Sequence, residues 1–110
     1  MSLNALVINT LNPLGIPVDF QTARSNSPTY ITFFFYNEKG TLYLDDDEKE
    51  TRYSLQVDIW SKGDYISTVE QVKKLLKSVG FVRTFATDLY EKDTQIYHKV
   101  LRFSFTQDSD

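Results

Sequence analysis

Cysteine is missing from this chain altogether. Its absence excludes disulfides, thiol nucleophiles and thiolate metal sites, and it fits a reducing compartment. Histidine is nearly as scarce, with His98 the single copy. Glycine occurs only 4 times, so a glycine-rich backbone cradle for phosphate is not expected. Positive charge is in deficit: Lys+Arg number 12 against 15 Asp+Glu, a net charge of −3. That balance supplies neither a basic footprint for nucleic acid nor a polybasic membrane patch. No apolar run approaches the ~20 residues that span a bilayer. The stretch MSLNALVINTLNPLG lacks a positive leader and a small-residue cleavage site, so it does not read as a signal peptide. A cytosolic chain is expected. No G-x-S-x-G nucleophile motif, metal-ligand cluster, internal repeat or low-complexity segment occurs.

What is present suits one α+β domain spanning residues 1–110. A chain of 110 residues buries roughly 65% of its unfolded surface, enough for one modest core. The aromatics, 8 Phe and 7 Tyr among them, let that core be built from few large side chains. Leu3, Leu6, Val7 and Leu11 recur at helical spacing until Asn12-Pro13 and Gly15 stop them, which predicts a helix over 2–12. A short extended piece is expected around Val18. TYITFFFYNE (29–38) is β-branched and aromatic, and its two apolar faces around Phe33 to Phe35 predict a central strand covered on both sides. Tyr53 to Trp60 alternates strictly and is a second strand, pairing with the first across a long acidic loop at Asp45, Asp46, Asp47 and Glu48. Ser67 and Glu70 have the spacing of a capping box, followed by the stripe Val69, Val72, Leu76 and Val79 and a glycine at position 80, which predicts a helix over 67–79. Two further strands are expected at 81–90 and 95–106. The predicted architecture is an antiparallel-dominated sheet of about four to five strands with two helices packed on it.

The alternation in YSLQVDIW poses a question. Tyr53, Leu55, Val57 and Ile59 make one apolar face, and Gln56, Asp58 and Trp60 fall on the other. A large indole beside a carboxylate calls for another strand, a second subunit or a ligand to cover that face. His98 and Arg102 share the corresponding polar face of the last strand. A general base would need a nucleophile or carboxylate partner beside it, and the sequence places none next to His98. A surface or interface hydrogen-bonding role is the expectation for it. The acidic run lacks the spacing of a calcium loop and reads as solvated charge. No catalytic residue, cofactor or metal is expected.

Taken in order, Y-x-x-QVDIWSK at 53–62, VEQVKKLLKSVGF at 69–81 and LYEKDTQIYHKVLRFSF at 89–105 resemble the tail-completion, or tail-terminator, proteins of long-tailed bacteriophages and prophages. The likeness covers roughly Pro17 to Phe105. It implies a structural protein without catalysis, active in the host cytoplasm during assembly and then in the virion tail. Such proteins form a ring, commonly a hexamer, that caps the tail tube and joins it to the head-completion or connector protein. DNA passes through without specific binding, for which a mildly acidic chain is suited. In that frame Gln56, Asp58, Trp60, His98, Arg102 and the acidic residues Asp45 to Glu48 become interface candidates. Two other classes compete: a small acid–base enzyme using His98 with Asp58 or Tyr97, and a monomeric ligand-binding domain with its pocket under the Asp45 loop.

Overall fold

The computed structural model describes residues 2–23, 26–44 and 47–108, with the backbone alone at 39–44, 47–49 and 108. Ser2 opens the first helix, its hydroxyl accepting the amide of Ala5 at 3.1 Å, as an N-cap side chain does for an orphan donor. Helix α1 runs Leu3–Leu11. A single tight turn over Asn12–Leu14 then ends at Gly15, whose φ of 71° is left-handed backbone that a glycine adopts without strain. The remaining elements are β1 (Val18–Phe20), β2 (Thr29–Leu44), β3 (Asp47–Ser61), α2 (Ile66–Ser78), β4 (Val82–Glu91) and β5 (Ile96–Asp108).

The strands form one sheet in the order β1-β2-β3-β5-β4. Only β1 and β2 are parallel, with Val18 opposite Ile31; the other pairs are antiparallel. This is the expected α+β class. Both helices turn their apolar sides to the same face. Val7 and Leu11 of α1 and Val69, Val72 and Leu76 of α2 pack with Ile31, Phe33, Leu55, Val57, Ile59, Leu101 and Phe103. All of these are at most 5% exposed.

Four expectations need correction. The helix begins at Ile66 rather than Ser67 and has no capping box. Asp64 accepts the amide of Ile66 at 3.0 Å, while the Ser67 hydroxyl lies inside the first turn and accepts from Gln71. Val79 is 36% exposed, because the helix ends at Ser78 and Val79 is its C-cap. The end itself is a Schellman motif: Phe81 N–H donates to Leu76 O and Gly80 N–H to Lys77 O, with Gly80 at φ 102°. Third, β2 is covered by helices on one side only; Phe33 is buried, whereas Phe34 points to the opposite face and is half-buried.

The acidic loop is the fourth correction. The ladder between β2 and β3 continues to Tyr43 opposite Glu48 and Leu44 opposite Asp47, so Asp47 and Glu48 belong to β3. Asp45 and Asp46 lie outside the described residues. Extra residues in β2 and β3 are absorbed as bulges, the first at Asn37, whose φ is 50°; asparagine tolerates that region better than most side chains. The paired strands extend past the helices, and β5 follows β3 only as far as Asp108 opposite Glu50. The molecule is therefore drawn out to 53 × 24 × 23 Å, with a hairpin arm at one end.

Candidate functional site: the helix-free face of the sheet

Register decides which side chains meet on the second face. Tyr30, Trp60, His98 and Leu89 form one row across β2, β3, β5 and β4. Thr32, Asp58, Val100 and Thr87 form the next, and Phe34, Gln56, Arg102 and Phe85 the third. Alternation along each strand dictates this sharing of a face. Because α1 and α2 both lie on the other side, these rows carry no helix among the described residues.

The rows are bonded to one another. His98 Nε2 donates to Asp58 Oδ1 at 2.7 Å, a bond between side chains only 12% and 9% exposed. Gln56 Nε2 donates to both Asp58 oxygens, at 3.1 and 3.2 Å, and its own carbonyl accepts from Arg102 Nε at 3.2 Å. The His98 ring stacks on Trp60 with centroids 3.7 Å apart and planes 13° apart. Trp60 in turn lies parallel to Tyr30 at 6.0 Å and donates its indole N–H to Thr32 Oγ1 at 3.1 Å. The Arg102 guanidinium sits over the rings of Tyr36 and Phe85, at 5.6 and 5.2 Å, within cation–π range.

Five of the expected site residues, Gln56, Asp58, Trp60, His98 and Arg102, are thus brought into one network. Asp47 and Glu48 are not; they stand at the far end of β3. The sequence reading set Asp58 beside Tyr97 as a partner for His98 only within the competing enzyme class, and it missed Thr32, Tyr30 and Phe85. The alternation of β2 could have placed Tyr30 and Thr32 on this face; the contact between Asp58 and His98, 40 positions apart, could not be found without register.

Chemically, the arrangement holds an imidazole and a carboxylate in fixed contact under an indole. It satisfies the polar groups that the face half-buries, which such groups require. No group of three His, Asp or Glu side chains among the described residues could hold a metal ion.

A second polar cluster lies on the helix side, at the start of α2. Tyr65 donates its hydroxyl to Asp88 Oδ1 at 2.7 Å, and Lys99 donates to Asp88 Oδ2 at 3.0 Å. The Tyr65 bond, and then that of Lys99, lower the Asp88 carboxyl below its ordinary value. Tyr65 is pushed up to about 12, first by that same hydrogen bond, then by burial and the Asp88 charge. Tyr97 stacks on Tyr65 at 5.8 Å and meets Tyr90 at 4.8 Å.

No family model matches the chain, and no curated protein matches it. Among solved structures it is similar to a chain of the "virion of native gene transfer agent (GTA) particle", with a TM-score of 0.70 over 98% of this chain and 96% of that one. The two sequences are 11% identical, so the likeness is one of fold.

Proposed function

We propose that this chain is a structural protein of a phage-like virion, and specifically a tail terminator: a ring, in the commonest form a hexamer, that caps the tail tube and joins it to the head connector. The observation that carries the reading is the fold shared with a virion chain over nearly the whole length of both. The motif order from QVDIWSK to YHKVLRFSF narrows it to the tail-terminator class. Under this reading the protein works in the host cytoplasm during assembly and then in the tail, DNA passes through without being bound, and no catalysis occurs. The helix-free face, with Trp60, Arg102, Phe85 and Leu89, is the surface on which neighbouring proteins would pack, since aromatic and arginine side chains concentrate in interfaces.

Complementation tests it. Particles from a strain lacking the gene should show tails of irregular length and heads without tails, both restored by the wild-type chain. Normal virion counts without the gene would exclude the role. A second reading draws on the 2.7 Å contact between His98 and Asp58, the geometry of a general acid–base pair. His98-dependent turnover of an ester, phosphoester or glycoside, abolished in His98→Ala, would establish that reading instead.

A further inference from the structure

A groove runs between the C-terminal half of α2 and the start of β4, lined by Lys73, Lys77, Phe81, Val82, Arg83 and Phe103. Its floor is apolar: Phe81 and Phe103 are core residues and Val82 is a lip 62% exposed. Its rim is cationic. Lys77 and Arg83 are exposed and form no ion pair with a described residue, while Lys73 reaches Glu70 at 3.3 Å. Counting Glu70, the groove keeps an excess of positive charge, in a chain whose net charge is −3. Beside it β4 is the last strand of the sheet, so its outer edge has unpaired backbone groups, the kind of edge on which another chain can pair.

The hairpin arm has the opposite character. Its sequence, TLYLDDDE over 41–48, puts three apolar residues directly before four acidic ones, and its paired backbone ends at Leu44 opposite Asp47. A narrow ribbon of this kind is marginal in water unless something covers it. It cannot turn to its own groove. Phe103 of the groove lies opposite Leu55, and the rise along β3 from there to Asp47 is about 25 Å.

We propose that this groove receives the acidic arm tip of a second copy of the chain. Leu42, Tyr43 and Leu44 would meet the apolar floor, and Asp47 and Glu48, with the acids beside them in sequence, the rim of Lys77 and Arg83. Because tip and groove are different patches of one molecule, the contact is heterologous and repeats head to tail, which closes into a ring when the rotation allows. The inference rests on the ring reading above and names the contact by which adjacent copies hold one another.

The test uses an equal mixture of isotopically light and heavy full-length protein, treated with a carbodiimide that joins carboxylates to lysine amines. Mixed-isotope cross-links should join the 45–48 segment to Lys73 or Lys77 and should fade as salt is raised. The double variant Lys77→Glu with Arg83→Glu should weaken self-association on the order of tenfold, as should Asp47→Lys with Glu48→Lys, and mixing the two variants should recover it. Circular dichroism of each variant verifies the fold. An oligomer whose 45–48 segment cross-links only within its own chain or to other lysines overturns the contact and leaves the ring. A protein that sediments as a monomer at every concentration, with no mixed cross-links, also overturns it; the particle counts described above then decide the ring separately.

Discussion

The two faces of one sheet are built on opposite terms. Toward the helices, Leu55, Val57 and Ile59 of β3 are fully buried in the apolar cluster formed with α1 and α2. One residue out of phase, Gln56, Asp58 and Trp60 are held by donors, acceptors and ring faces from β2 and β5. The first face is stabilised mainly by area, roughly 25 cal/mol for each Å² of apolar surface removed from water. The second gains less from each contact, but every bond in it depends on register. A one-residue slip of β3 would exchange the two faces. The polar network therefore acts as a check on pairing.

The comparison is tested first where the effect should be largest. Leu76 is fully buried between α2 and the sheet, and Leu76→Ala should cost about 2–5 kcal/mol, transfer and cavity terms together. Chemical denaturation reads it directly. A cost near zero would mean that α2 does not lie on this face. On the other side, Asp58→Ala leaves the donors of Gln56 and His98 without their acceptor in a site that is 6% exposed at Asp58. The expected loss is about 1–3 kcal/mol, smaller than the core cavity despite three hydrogen bonds removed. Were Asp58→Ala to equal or exceed Leu76→Ala, the polar face would be the stronger of the two and the contrast would fail. Trp60→Phe keeps most of the stacking on His98 and Tyr30 but removes the N–H that Thr32 accepts; about 0.5–1.5 kcal/mol is expected. Its assembly phenotype, scored by virion count, should exceed what that loss of stability explains if this face is an interface.

Each face was legible in the sequence to a different depth. Period-2 alternation in β3 and the three- and four-residue steps of α2 identify the buried faces without any partner being known, because burial is a property of one segment's own pattern. The network is a property of three segments together. Gln56, Asp58 and Trp60 are visibly out of phase with the core, yet what satisfies them depends on β5 returning beside β3 after α2 and β4 have intervened. The hairpin shows tertiary context overriding composition: four consecutive acids suggest an open loop, but the β2–β3 ladder runs on to Leu44 and Asp47. At the start of α2 the capping-box spacing was present, but the helix begins one residue earlier than Ser67, so Tyr65 is the N-cap and Asp64, before it, accepts the Ile66 amide.

The smallest expected effect concerns the cluster at the edge of the helix side, where Tyr65, Asp88 and Lys99 meet near solvent. Tyr65 is raised in the folded chain from 10.0 to about 12, chiefly because its proton is held by Asp88. The stabilisation is thus complete below the unfolded value, declines as pH rises past it, and is lost as pH passes through the folded one. Asp88 is displaced in the other direction, so its share is present above the ordinary carboxyl value and is lost as pH falls through the lowered one. Tyr65→Phe should accordingly flatten the part of the alkaline stability limb that falls between pH 10 and 12 and reduce the acid limb's dependence on Asp88, with little change at neutral pH. Solvent screening at this exposed pair keeps the effect well below that of the buried Asp58. Thermal melts of the wild type and Tyr65→Phe across that range decide it. Parallel curves would mean that Tyr65 and Asp88 do not hold their bond in solution, and this cluster would then no longer stand against the network of the open face.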